Sequence, residues 1–176
     1  MPSDLTRYTD PRAHDLRAAY VAAFGGDEIP VPVESIAEDL LGLLVEQRDL
    51  GDCSGMLIPG ERLVLVNAAE GAGDGTPTSR QRFTIAHELG HWVCHARRGA
   101  DPSRSYCRAS DLALDADRAL EREANVFGAE LLMPELAVRE AWVALPDRDA
   151  LAARFGVSAL AAQWRLYSFG LGDRPG

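Results

Sequence analysis

Apolar residues recur along this chain at two different spacings, and each change of spacing marks a new element. From Pro11 to Phe24, Leu16, Tyr20, Ala23 and Phe24 fall at helical intervals, and Gly25-Gly26 ends the run. The proline-marked stretch Ile29-Pro30-Val31-Pro32 leads into a second helical segment over 33–41, with Ile36, Leu40 and Leu41 on its apolar side. Neither helix carries chemistry, and both read as scaffold. The spacing then shortens into strand candidates at 43–47, 55–58 and 62–66. Pro59-Gly60 marks a turn between the last two, which predicts a hairpin, and the short connections predict a small antiparallel three-stranded sheet. An exposed edge of that sheet could take up an extended peptide as an added strand, although an ordinary edge strand fits the same pattern.

A Gly-rich surface loop over 68–78 delivers the chain into Arg82 to His95, RFTIAHELGHWVCH. Thr78 and Gln81 have capping-box spacing, so a helix begins near Ser79. Phe83, Ile85, Ala86, Leu89, Trp92 and Val93 make that helix apolar nearly all round, which predicts burial. Inside it lies an HExxH pattern, His87-Glu88-Leu89-Gly90-His91. Four residues turn a helix by about 400°, so His87 and His91 lie roughly 40° apart on one face and can bind the same zinc ion. Glu88 sits about 100° from His87 and about 60° from His91. It is too far round to join the two histidines, but well placed to take a proton from water activated by the metal. Two chance histidines on a helix are the plainer reading. Burial argues against it, because unpartnered polar groups in a core are costly.

A catalytic zinc takes three protein ligands and keeps a position open. His95 lies about 12 Å along the helix axis from His87, too far to share a metal with it. The metzincin pattern is excluded, because Cys94 stands where its glycine would be and Arg97 where its third histidine would be. A second helix, Ala119 to Pro134, offers Glu121, Glu123 and Glu130. Glu121, Asn125, Gly128 and Leu132 form one stripe, beside the apolar stripe of Leu120, Ala124, Phe127 and Leu131. Glu121 therefore borders the buried face, while Glu123 and Glu130 share a side that reads as solvated. Glu121 is the expected third ligand, Asn125 its neighbouring hydrogen-bond partner, and Ala124 and Gly128 are small enough for close helix approach. Between the two helices runs a long polar stretch with Arg97, Arg98, Arg104 and Arg108, which reads as a solvated loop or a binding lid.

Length and composition bound these readings. At 176 residues, with 47% hydrophobic and 26% charged residues, the chain suits one soluble core with a small appendage. A net charge of −9 disfavours broad attraction to nucleic acid or anionic membrane. Neither a signal peptide nor a membrane span is visible. Cys53, Cys94 and Cys107 are odd in number and lack CxxC spacing, so reduced thiols in a cytoplasmic protein are expected. Cys94, three residues beyond His91, is expected to be a packing residue.

Near the C-terminus, Leu151-Ala152, Phe155-Gly156-Val157-Ser158, Ala161 and Leu166 have the pattern of a helix-turn-helix. A DNA reader would carry a basic stripe there. The segment from Asp147 onward nets only +1, and its second helix offers little beyond Gln163 and Arg165. Packing or partner docking is the favoured role.

RFTIAHELGHWVCH followed by EREANVFGAELLMP, with IPVPVESIAEDL before and SYCR between, resembles the ImmA/IrrE family of metallo-endopeptidases. The resemblance covers roughly Pro30 to Pro134. It implies zinc on His87, His91 and Glu121, with Glu88 as general base. It also implies an intracellular protease whose usual targets are helix-turn-helix repressors, often encoded nearby. The expected fold is α+β: a mainly helical zincin-like domain over 1–145 with the small sheet, and a helix-turn-helix-like subdomain over 146–176. The rival function is a regulator that binds DNA or a protein partner around a non-catalytic zinc site.

Overall fold

The computed structural model describes residues 9–95, 106–107 and 115–175. Helix α1 (Pro11–Phe24) begins where the Asp10 carboxylate accepts the Arg12 backbone N–H, with proline in the first turn. It stops at Gly25, whose φ of 76° favours glycine. Helix α2 (Val33–Ser35) runs straight into a π-helical turn over Ile36–Leu40, burying Val33, Ile36 and Ala37.

The sheet holds β1 (Leu44–Arg48), β2 (Gly55–Ile58), β3 (Leu63–Asn67) and β4 (Tyr106–Cys107), in the order β1-β3-β2-β4. β2 and β3 form the expected hairpin, joined by a 3-10 turn at Pro59–Glu61. Two features depart from the expected antiparallel three-stranded sheet. β1 pairs with β3 in parallel, Leu44 opposite Leu63 and Arg48 opposite Asn67. The short loop after β1 does reverse the chain, but β3 inserts between β1 and β2. The Asn67 side-chain amide donates to the carbonyls of Gly51 (2.8 Å) and Cys53 (2.9 Å), which pins that loop across the end of β3. All five residues of β3 are buried, as a central strand requires. The second departure is β4, which falls within the stretch read as loop and pairs antiparallel with β2 at Met56 and Leu57. Cys53, just before β2, is disulfide-bonded, contrary to the expectation of three reduced thiols, whereas Cys94 is free and buried. Cysteine spacing carries no sign of the sheet pairing that brings Tyr106–Cys107 alongside β2.

Helix α3 (Ser79–Cys94) starts at a complete capping box. Thr78 Oγ1 accepts from Gln81 N at 3.2 Å, and Gln81 Oε1 accepts from Thr78 N at 3.1 Å. It lies between the sheet and α4 (Asp115–Leu132). The two helices touch backbone to backbone. A Cβ on Gly90 would sit 2.9 Å from Ala124 Cα and 3.0 Å from its carbonyl oxygen, and one on Gly128 would sit 3.1 Å from the His87 nitrogen. Gly90→Val is therefore expected to force the helices apart, at a cost of about 2–3 kcal/mol. A urea titration of the metal-free protein measures this, and an unchanged midpoint would refute the close approach.

Helix α5 (Glu135–Ala144) follows, then α6 (Arg148–Phe155) and α7 (Ala159–Ser168), capped by Asp147 and Ser158 around Gly156 at φ 62°. Leu151, Phe155, Leu166 and Phe169 belong to the same buried cluster as Ile85, Leu89, Phe127 and Leu131. Arg82 of α3 ties the pieces together, donating to Gly156 O (3.1 Å) and Val31 O (2.8 Å). The fold is thus α+β and mostly helical. No helix among the described residues is long and apolar enough to cross a membrane.

Candidate metal centre

Helix α3 turns His87 and His91 to one side, both essentially inaccessible, with their Nε2 atoms 3.1 Å apart. From α4, Glu121 brings Oε2 to 3.2 Å from His87 Nε2 and Oε1 to 2.9 Å from His91 Nε2. One ligating atom from each of the three lies within 4.8 Å of the others. The glycine contacts at Gly90 and Gly128 bring the helices close enough for this convergence.

Tautomers follow from the outer partners. His87 Nδ1 faces Asn125 Oδ1 at 3.1 Å. An amide oxygen only accepts, so the ring proton sits on Nδ1 and the Nε2 lone pair points inward. For the Glu121 carboxyl, burial opposes ionisation. Contacts from the His87 and His91 rings outweigh it whenever those rings carry a proton at Nε2, and then hold the carboxyl far below the usual carboxylate range. Two imidazole nitrogens and a carboxylate form a donor set suited to zinc, and three protein ligands leave room for water or substrate.

Glu88 is fully buried on the neighbouring face of α3. The first residue of β2 lies beside it: a Cβ on Gly55 would strike Thr84 Cγ2 at 2.1 Å and come within ordinary contact, 3.4 Å, of Glu88 Oε1. A groove of about 1110 Å³ leads from Glu121 and Asn125 to α7, where Leu160, Trp164 and Tyr167 line it and are exposed.

Residues 73–167 match the model of the Peptidase_M78 family, described as the IrrE N-terminal-like domain, and this span contains His87, Glu88, His91 and Glu121. The chain belongs to the Peptidase_M78 family. It is 32% identical over 129 residues to the radiation response metalloprotease IrrE of Deinococcus radiodurans, an alignment covering 73% of this chain and 35% of that protein. It is 25% identical to the metallopeptidase ImmA of Bacillus subtilis, over 75% of this chain and 73% of that one. A solved structure described as a Mycobacterium tuberculosis transcriptional regulator superposes on 93% of this chain and 48% of its own length, with a TM-score of 0.62 at 20% identity, and so shares the fold. The chain thus spans about a third of the IrrE protein and half of the solved structure. A metalloprotease family implies a divalent metal, and the convergence of His87, His91 and Glu121 fits one.

Two carboxylates of this M78 domain behave differently from their sequence pattern, whereas His95 lies outside the metal-facing trio as its distance along the helix implies. Glu130, expected to be solvated, is buried, paired with Arg165 of α7 and 2.6 Å from His14 Nε2 of α1. Glu123, also expected on a solvated side, is only half-exposed and accepts from Arg12 Nη2 at 2.6 Å. His95 caps the end of α3, outside the metal-facing trio, with Nδ1 3.1 Å from His91 Nδ1. Its i+4 relation to His91 was the one available signal. Arg97, Arg98, Arg104 and Arg108 of the supposed lid lie outside the described residues.

Proposed function

We propose that this chain is a zinc endopeptidase that cleaves a helix-turn-helix transcriptional repressor and so releases the genes it silences. The observation that carries this reading is the convergence of His87, His91 and Glu121 beside the buried Glu88, with Glu121 also lining the groove. His87, His91 and Glu121 would hold the metal. When bound, zinc supplies Lewis acidity for the scissile carbonyl and for water. Glu88 accepts the proton released by the attacking water and passes it to the departing amine nitrogen. The exposed Trp164 and Tyr167 offer apolar surface to substrate side chains.

A repressor substrate places the reaction in the cytoplasm. The disulfide at Cys53 is the one feature that runs against a reducing compartment. Direct DNA reading by α7 is disfavoured, because Arg165, one of its two candidate base contacts, is 3% exposed and engaged by Glu130.

The test is purification without added metal, followed by incubation with a helix-turn-helix repressor encoded beside the gene and intact-mass analysis. Wild type should carry one zinc per chain and yield two fragments, and His87→Ala should carry none and yield none. Intact repressor in the presence of zinc-loaded wild type would replace cleavage with partner binding as the function.

A further inference from the structure

Behind His91 runs a connected series of polar groups that the proposed reaction does not use. His91 Nδ1 lies 3.1 Å from His95 Nδ1, and His95 Nε2 lies 2.9 Å from Glu123 Oε2. Glu123 Oε1 accepts from Arg12 Nη2 at 2.6 Å. Arg12 in turn binds Asp10 through Nε at 2.9 Å and Nη2 at 2.6 Å, and Asp10 caps α1. The series crosses three helices, running from the end of α3 through α4 to the first turn of α1.

The direction of each bond follows from its far end. A carboxylate gripped by a guanidinium accepts, so His95 presents an N–H at Nε2. With its single ring proton there, His95 offers a lone pair at Nδ1. His91 must then donate from Nδ1, which leaves its Nε2 bare and facing Glu121 and His87. Every contact of the outer series is satisfied by this one arrangement. It leaves Nε2 of His91, Nε2 of His87 and the Glu121 carboxylate converging with no proton between them, a set that a cation would complete. His87 is held differently, by the amide of Asn125.

We infer that His95 and Glu123 are positioning residues for the metal centre: they hold His91 in its Nδ1–H tautomer and fix its ring. The inference rests on the proposed metal site and adds how that site is set up before the ion arrives. A carboxylate acting through a second imidazole also makes His91 a better donor. Removing such outer support typically weakens metal binding by about 10–100-fold.

Zinc alone is the probe, competed against a chromophoric chelator, on metal-free wild type, His95→Ala, His95→Gln, Glu123→Gln and His87→Ala. His95→Ala and Glu123→Gln are expected to raise the zinc Kd by about 10–100-fold. His95→Gln, which can accept at Oε1 and donate at Nε2, should recover part of the loss. Long-range ¹H–¹⁵N spectra of the metal-free proteins should show His91 protonated at Nδ1 in wild type and as a tautomer mixture in His95→Ala. A merely structural role would lower the thermal midpoint without moving the tautomer. Zinc affinity within twofold of wild type in folded His95→Ala, while His87→Ala loses zinc, would overturn the positioning role and leave the site standing. Unchanged affinity in His87→Ala as well would overturn the site itself.

Discussion

Glu88→Gln is expected to bind zinc with wild-type stoichiometry and to cleave repressor about 10²–10⁴-fold more slowly, the usual contribution of a general base. That loss corresponds to roughly 3–5 kcal/mol of transition-state stabilisation. The substitution tests chemistry rather than packing. Glutamine keeps the shape of the side chain, so its packing beside Gly55 is undisturbed. The three groups that would hold the metal are His87, His91 and Glu121, and none of them is altered. Removed is the carboxylate's ability to take a proton. Single-turnover cleavage, with zinc content measured on the same sample, separates the two effects. A slow variant without zinc would mean that Glu88 holds the site together. A fast variant with zinc would remove Glu88 from the mechanism.

What could be read from the residues in advance is local. The Thr78–Gln81 capping box involves residues three apart, and the structure forms it at that place. The Pro59-Gly60 turn and the stop at Gly25 are likewise matters of φ and nearest neighbours. The HExxH spacing puts two imidazoles on one face for the same reason. Parallel pairing of β1 was not legible, because it depends on β3 being inserted and on Asn67 clamping a loop 14 to 16 residues away. Periodicity assigned Glu123 and Glu130 to one solvated side of α4. Their surroundings differ because α4 meets other helices along its length. Near 123 it meets Arg12 and His95, and near 130 it meets His14 and Arg165. A stripe on one helix says which residues share a direction, but not what stands opposite.

The Glu130–Arg165 pair should show this most sharply in stability. Arg165 is 3% exposed, donates through Nε to Met133 O at 2.9 Å, and lies over the Phe169 ring at 4.3 Å. Burial pushes its guanidinium below the ordinary value, and the charge and hydrogen bond of Glu130 oppose that push. Arg165→Met removes the cation and keeps much of the volume. Among the described residues, Glu130 then remains buried with His14 and the Glu135 backbone N–H as partners. Breaking a buried pair on one side costs about 3–5 kcal/mol. For a chain of this size, that corresponds to a fall of roughly 10 °C in Tm. Changing Glu130→Gln in the same chain should restore much of the loss, because the stranded charge disappears with it. Urea titrations of the two single variants and the double variant measure the coupling directly. A base-reading role for Arg165 predicts the opposite pattern, with stability near wild type and operator binding impaired. Additive losses would show that the two residues stabilise the fold independently. Strong coupling would identify the pair as the joint between α4 and the helix whose Trp164 and Tyr167 line the groove. Loosening that joint should then raise KM for repressor while leaving zinc affinity unchanged, since Glu130 lies about two and a half turns along α4 from Glu121.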